Sequence, residues 1–447
     1  MKKINLVILL LILNISQVFS QGVLTLDASK KLALENNVQS KNSKLETEVA
    51  HQISKSAFTN FFPSINMGGL IFRVDKNFME IKSEGGDLPV YDGNLDNLSS
   101  ATQFAFLPSG TMGLLKKGTI GYINAVQPIF AGGRIINGNK LASLGEDISV
   151  YKEKLARDEV ILKTEENYWL IVSLNEKSNT IKKYEELLNR LLLQVEDAFA
   201  SGIVMKNDLL KVKLKLSEIE LNKSKLENGR KLAAMAFCQY IGIPYDSALV
   251  LKDELQISEL PQTYFIEKNE ALKMRTEYAL LEKSIEAEKL LTKMKLGEYL
   301  PQAGIGLSGL YMKLDEGKER TIGMVFGTVS VPISGWWGGS YELEERSIKE
   351  DIANNNLNNN SQLLTLQIEK SWQDLTDSYK QYLLSEESLA QAEENLKVNE
   401  DSYENGLITV SDLLEAQALS QQTLDQLTDS KANYIVKKSI YLKVSGR

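Results

Sequence analysis

The stretch Asp401-Ser402-Tyr403-Glu404-Asn405-Gly406-Leu407, followed by Ser411-Asp412-Leu413-Leu414, has a counterpart 204 positions upstream. There, Asp197-Ala198-Phe199-Ala200-Ser201-Gly202-Ile203 precedes Asn207-Asp208-Leu209-Leu210. Each stretch sets one glycine after a long helix-forming run and resumes helix-forming sequence within a few residues. Glycine takes the left-handed conformation that ends a helix, so each stretch reads as the tip of a helical hairpin. The same spacing carries Pro128-Ile129 onto Pro332-Ile333, Glu165 onto Glu369, Tyr168 onto Trp372 and Ile241-Gly242 onto Ser445-Gly446. Upstream the spacing becomes 238: Asn60-Phe61-Phe62-Pro63 falls on Glu298-Tyr299-Leu300-Pro301. The chain is therefore a duplication. Its first copy spans 21–242, a linker covers 243–262, and the second copy spans 263–447. A loop over 75–117, rich in Gly, Asp, Asn, Ser and Pro, accounts for the extra length of the first copy.

Each copy opens with helical sequence, over 26–60 and 264–296. Two short segments with a period of two follow. In 303–311 Ala303, Ile305, Leu307, Gly309 and Tyr311 alternate with Gly304, Gly306 and Ser308, and in 321–331 Ile322, Met324 and Phe326 alternate with Gly323, Val325 and Gly327. Alternation of this kind predicts strands, placed at about 299–312 and 321–331 with a polar turn over 313–320. The first copy predicts strands at about 62–74 and 118–128. Ile65, Met67, Gly69 and Ile71 share a face there, as do Ile120, Tyr122 and Val126, with Asn124 as the exception. Pro128 to Arg134 and Pro332 to Gly339 read as sharp turns into helix. Trp336 and Trp337 suit either an anchor at a membrane interface or the packing of that turn.

A helix of unusual length is predicted next. From 139 to 200 there is no proline, and Ile181, Tyr184, Leu188, Leu191, Leu192, Val195 and Phe199 recur at three and four spacing. At ~1.5 Å per residue such a helix extends about 93 Å, which calls for a coiled-coil-like wall rather than a compact domain. A second helix returns from 207 to about 240. In the second copy the tract Asn354-Asn355-Asn356-Leu357-Asn358-Asn359-Asn360 reads as a polar, lumen-facing helix side, with Leu343, Ile348, Leu357 and Leu364 as an apolar stripe.

Composition narrows the class. Of 447 residues 43% are hydrophobic and 25% charged, and only 8 are proline, which favours long ordered helices over disorder. A net charge of −8 speaks against nucleic acid as a partner. With one Cys and one His there is no disulfide framework and no Cys/His zinc site. Cys238 reads as a buried thiol and His51 as an ordinary helix residue. No phosphate loop, triad or acid pair is present, so catalytic residues, cofactors and bound metals are not expected.

Lys2 and Lys3, the apolar run 6–13 and Val18-Phe19-Ser20 form a cleavable export signal over 1–20, leaving Gln21 as the new N-terminus. The run is too short to span a membrane, and no Cys follows it to carry a lipid. Beyond it no segment has the length and apolarity of a transmembrane helix. An exported chain of this kind is either soluble or part of a β-barrel. Four strands cannot close a barrel, because their edges would leave backbone groups unpaired in lipid.

These features together resemble the TolC family of outer-membrane factors, also called outer membrane efflux proteins, over essentially the whole mature chain. The likeness lies in the duplicated unit, in Gln127-Pro128-Ile129-Phe130-Ala131-Gly132-Gly133-Arg134 and in the paired tips around Gly202 and Gly406. It implies a mostly α fold with β: a homotrimer with a twelve-stranded barrel in outer-membrane lipid, continued by a long periplasmic α-helical tunnel. It also implies a periplasmic membrane-fusion adaptor and an inner-membrane pump of the RND or ABC type as partners. The function implied is passive efflux of small molecules in a tripartite system, with type I protein secretion as the alternative. A periplasmic coiled-coil adaptor is the other class considered. It predicts one hairpin flanked by β-rich domains, without duplication.

By the same resemblance Ser201-Gly202-Ile203 and Asn405-Gly406-Leu407 are the adaptor-contact tips. Tyr403, Asp412, Glu415 and Asp208 stand at the family's gate positions, whereas Ile408 occupies the place of its gate arginine, so the ionic part of that lock is missing. Asp412 and Glu415, three apart on one helix, would form rings of carboxylates in a trimer that favour cations, or else are solvated acids at a helix start.

Overall fold

The computed structural model describes residues 23–76, 79–90, 103–114, 116–315, 317 and 319–447. The expected signal over 1–20 and the centre of the loop over 75–117 lie outside the described residues. Two compact units are present. One holds residues up to 51 together with 144–286 and 351–447, and the other holds 52–143 and 287–350.

The second unit is built on a four-stranded antiparallel sheet. Its strands are β2 (Ser64–Arg73), β7 (Lys117–Ala131), β9 (Gln302–Leu314) and β10 (Arg320–Ser330), in the order β10-β9-β7-β2. Each repeat supplies one hairpin, and β7 pairs with β9 to join them. The register puts odd-numbered residues opposite odd ones, so Ile65, Met67, Ile71, Ile305 and Leu307 share one face. The even sets, Ile120, Tyr122 and Val126 with Ile322, Met324 and Phe326, lie on the other. Apolar side chains thus occupy both faces, and a polar row runs through the even face, where Ser308 donates to Asn124 Oδ1 at 2.6 Å. Among the described residues the edge strands β2 and β10 each have one partner.

Two local expectations are corrected here. The segment 75–117 is not an irregular loop: it contains two further antiparallel pairs, β3 (Met79–Ser83) with β6 (Gly110–Leu114) and β4 (Gly86–Pro89) with β5 (Phe104–Leu107). Nor does the turn into helix begin at Pro128. β7 runs on to Ala131 through a register shift at Pro128, the irregularity that lets a strand hold a residue without an N–H. The turn is confined to Gly132 and Gly133, both at positive φ. Gly132 has a second reason for lacking a side chain: a Cβ there would sit 2.1 Å from the Gly297 carbonyl oxygen. In the other repeat Trp336 donates from Nε1 to the Tyr299 carbonyl at 2.8 Å, and Trp337 remains 80% exposed.

The helices show the duplication most plainly. The opening helix of each repeat is broken once: α1 (Leu26–Asn36) from α2 (Val38–Phe58) at Asn37, and α5 (Lys268–Met274) from α6 (Thr276–Glu298) at Arg275. Those positions are 238 apart. Neither break has a glycine or proline, and tertiary contacts hold both. Asn37 donates from Nδ2 to the Tyr240 carbonyl at 3.0 Å, while Arg275, 4% exposed, donates to Glu277 and Gln367. The hairpins are α3 (Arg134–Ala200) with α4 (Lys206–Ile241), and α7 (Trp336–Glu404) with α8 (Val410–Val444). Both return helices end at a positive-φ glycine, Gly242 and Gly446, packed on the last residue of α1 and α5 respectively. A Cβ on Gly242 would meet Asn36 Cβ at 2.4 Å, and one on Gly446 would meet Met274 Cβ at 2.8 Å.

Inside the helical unit an aromatic pair recurs at the same spacing. Tyr168 packs on Phe237 with ring centroids 6.1 Å apart, and Trp372 on Tyr441 at 5.2 Å. Tyr168 also closes the linker. Its hydroxyl lies 2.6 Å from Asp253 Oδ2, and β1 (Val23–Leu24) pairs in parallel with β8 (Val250–Leu251) alongside. Cys238 is fully buried, which pushes its thiol pKa up. On α7 the side packed against its neighbours includes Leu343, Leu357 and Leu364, but Ile348 lies off that stripe and is 50% exposed. Asn360 is half-buried there, whereas the other asparagines of its tract are exposed. Among the described residues no helix is long and apolar enough to cross a membrane.

Candidate functional site

The two hairpin tips lie in the helical unit. Each uses one backbone pattern to satisfy the carbonyls left free at a helix end. In the first, Gly202 N–H donates to the Phe199 carbonyl (3.0 Å) and Ile203 N–H to the Ala198 carbonyl (2.9 Å). In the second, Gly406 N–H donates to Tyr403 and Leu407 N–H to Ser402, both at 2.9 Å. Gly202 and Gly406 have φ of 72° and 70°, and open space surrounds the position a Cβ would take. The requirement for glycine is thus conformational, about 1–2 kcal/mol against an L residue. Ile203 and Leu407, with exposures of 78% and 77%, project from the turns.

The tips differ in how the next helix starts. Thr409 caps α8 with a reciprocal box: its N–H and hydroxyl reach Asp412 Oδ2 at 2.9 and 2.7 Å, and Asp412 N–H returns to Thr409 Oγ1 at 3.4 Å. These bonds hold the Asp412 carboxyl below its ordinary pKa. At the matching place Met205 gives α4 no side-chain cap, and Asp208 N–H donates to the Met205 carbonyl.

Between the tips lies a cleft of about 680 Å³. Its walls include Ile203, Met205, Asp208, Tyr403, Gly406 and Ile408. Tyr403 is half-buried, and burial first, then the charge of Asp208, raises its hydroxyl pKa. Tyr403 and Ile408 pack on an apolar cluster that includes Leu188, Val195, Val212 and Leu413. Tyr403, Asp208, Gly202's neighbour Ile203 and Gly406 therefore come together. Glu415 is exposed and, like Ser201, Asn405 and Leu407, does not line the cleft, and Asp412 is engaged as a helix cap. Among the described residues no group of three or more His, Cys, Asp or Glu could hold a metal ion.

One contributor was not foreseen. Lys211 Nζ donates to Ser411 Oγ at 2.6 Å and lies 3.7 Å from Asp208 Oδ1, tying α4 to α8 just behind the cleft. A cation therefore reaches this region from the first repeat although Ile408 fills the expected arginine position. No sequence signal marks it, because the pairing crosses between hairpins 200 residues apart. The Thr409/Asp412 box, by contrast, has a readable T-x-x-acid pattern.

No protein-family model matches the sequence, and no curated protein matches it. Solved structures do match. The outer membrane protein VceC of Vibrio cholerae superposes with a TM-score of 0.72 at 14% identity, covering 94% of this chain and 96% of that one. The chain has a TolC-like channel fold. The CmeC outer membrane channel of Campylobacter jejuni gives 0.73 at 17% identity, covering 94% and 85%. The open state of the Neisseria gonorrhoeae MtrE outer membrane channel gives 0.74 at 13%, covering 94% and 88%. At these identities the likeness is one of fold, and it covers 94% of this TolC-like chain in each case.

Proposed function

We propose that this chain is one of three copies of an outer-membrane export duct, passive itself and opened by partners at the helical tips. The observation that carries this reading is the four-stranded sheet. It draws one hairpin from each repeat, exposes apolar residues on both faces and ends in two open edges. Such edges in a membrane need partners, and a second copy offers β10 to β2. Three copies supply twelve strands, inside the range of roughly 8 to 26 found in bacterial barrels. The TolC-like fold and the neighbouring outer-membrane channels support the same compartment and role. A cleaved signal over 1–20 would deliver the chain there.

In this reading the tips have two tasks. Ile203 and Leu407, exposed apolar side chains on stiff turns, are the contacts for a periplasmic membrane-fusion adaptor that brings an inner-membrane pump. Tyr403, with Asp208 beside it, narrows the entrance, and Lys211 takes over the charge pairing that Ile408 cannot make. Asp412 acts through the helix cap, and Glu415 supplies the exposed acid. Small-molecule efflux is the first reading of this export role, and protein secretion is the alternative.

A photo-crosslinking residue at Leu407 in living cells tests the tip assignment. Capture of an adaptor of an RND-type pump supports efflux, and one belonging to an ABC-type transporter moves the assignment to secretion. Capture of no periplasmic protein would remove the recruitment role of the tips.

A further inference from the structure

The two faces of the four-stranded sheet are apolar in different ways. On the odd face Ile65, Met67, Ile71, Val325 and Val329 stand 67% or more exposed, whereas Leu70, Ile322 and Met324 on the even face are 58% or less. In the central strands Ile305 and Leu307 are exposed, while Ile120, Val126, Leu310 and Met312 are half-buried. Odd side chains therefore splay apart and even ones converge. Glycines make the same distinction. On the even face three glycines lie directly opposite an aromatic residue: Gly68 and Tyr122, Gly118 and Phe72, Gly306 and Phe326. Each aromatic lies across its glycine, since a Cβ there would come within 2.6, 2.8 and 2.3 Å of it respectively. On the odd face glycine meets glycine, Gly69 with Gly121 and Gly309 with Gly323, and no ring lies across them.

Polar groups separate the faces further. Along the strands the odd face carries no charge until Arg73, Lys117 and Lys313, at the end of the sheet next to the β9–β10 turn. From Ala303 to Tyr311 a strand rises about 27 Å, and a tilt of about 40° leaves about 21 Å of height, close to the apolar band of a membrane barrel. The even face instead carries Asn66, Asn124 and Ser308, opposed in register across three strands in the middle of that height. Carboxamides set there against hydrocarbon are costly, and against water they are not. Among the described residues of these strands Arg320 is the one charged side chain on the even face, and it stands beside the turn.

We propose that the odd face meets lipid, that the even face lines the lumen, and that this lumen favours uncharged solutes with apolar surface. The inference rests on the multi-copy barrel proposed above and names the substrate class of that duct. Barrel interiors are ordinarily polar. Here Phe72, Tyr122 and Phe326 lie along the wall over their glycines, so apolar surface faces the lumen without the rings standing across it. Asn66, Asn124 and Ser308 make one polar girdle on that wall. A solute with apolar surface gains contact with the rows on either side and a hydrogen bond at the girdle. An ion finds no opposite charge at that height, and the apolar rows cannot replace its water.

The test uses the full-length protein in outer membranes, with Cys238→Ser so that no native thiol interferes. Met324→Cys and Val325→Cys put single thiols on opposite faces of β10. A water-soluble thiol reagent should modify Met324→Cys alone, and a lipid-soluble maleimide should be needed for Val325→Cys. The reverse pattern, or no reaction at Met324→Cys, overturns the sidedness and leaves the barrel standing. Equal reaction of both positions with the water-soluble reagent overturns the barrel itself. Selectivity is then read at Met324→Cys with neutral, cationic and anionic thiosulfonates of similar size, each rate divided by its rate on free cysteine. The neutral reagent should react severalfold faster than either charged one. Adding Asn124→Asp, or Asn66→Asp where that variant does not assemble, should raise the cationic rate at least threefold and lower the anionic one. Equal rates for all three reagents, or no response to the new carboxylate, overturn the substrate class.

Discussion

The two helical tips share one turn and diverge immediately after it. Phe199 and Tyr403 stand at equivalent positions, as do Met205 and Thr409, and Asp208 and Asp412. Thr409 and Asp412 close on each other, so the second tip is fixed by its own short-range bonds. Met205 has no oxygen to offer, so Asp208 keeps its carboxylate for Lys211 and for the neighbourhood of Tyr403. Duplication has preserved the backbone device, while a single cap residue decides whether the following acid serves the helix or the cleft. A copied motif with conserved geometry can therefore carry two different electrostatic roles.

The largest expected effect comes from breaking the turn the tips share. Gly406→Pro removes an N–H that donates to Tyr403 and demands φ near −65° where the chain holds +70°. That costs at least about 3 kcal/mol locally, so export should fail while the assembled species in native gels is unchanged. Tyr403→Ala comes next: it should raise conductance in planar bilayers several-fold, and Phe199→Ala, at the equivalent exposed position, should leave it unchanged. Equal effects of the two would erase the asymmetry between the tips.

Smaller effects separate the caps. Thr409→Ala should loosen the start of α8 by about 1 kcal/mol, read as roughly fivefold faster amide exchange there. Met205→Thr should do the reverse for α4 by completing a box with Asp208. The smallest effect is acid sensitivity. The Asp412 carboxyl pKa is lowered below 3.8 by its bonds to Thr409, so its contribution is present above that value and is lost as pH falls through the lowered one. Exchange at the Thr409 amide, corrected for intrinsic rate, should accelerate as pH falls below the ordinary carboxylate value, and exchange at Met205 should not.

Much of this arrangement was legible because it depends on local conformation. The glycines at Gly202 and Gly406, the alternation in β9 and β10 and the long proline-free helices each have a backbone cause that sequence exposes. The helix breaks at Asn37 and Arg275 were hidden, since both are held by partners far along the chain, Tyr240 and Gln367. The strands within 75–117 were masked by glycine and asparagine, which suggest loop, while their pairing depends on a partner strand. At the tips the turns were readable from Gly202 and Gly406. Lys211 was not, and Asp412, expected at a gate position, has bonds to Thr409 that the sequence reading did not bring out.

The most direct measurement is the mass of the protein extracted from outer membranes in mild detergent, by native mass spectrometry. Three chains in one complex, with the open edges β2 and β10 closed between copies, is the expected result. A single chain, or recovery of the protein from the soluble periplasm alone, would contradict the export duct.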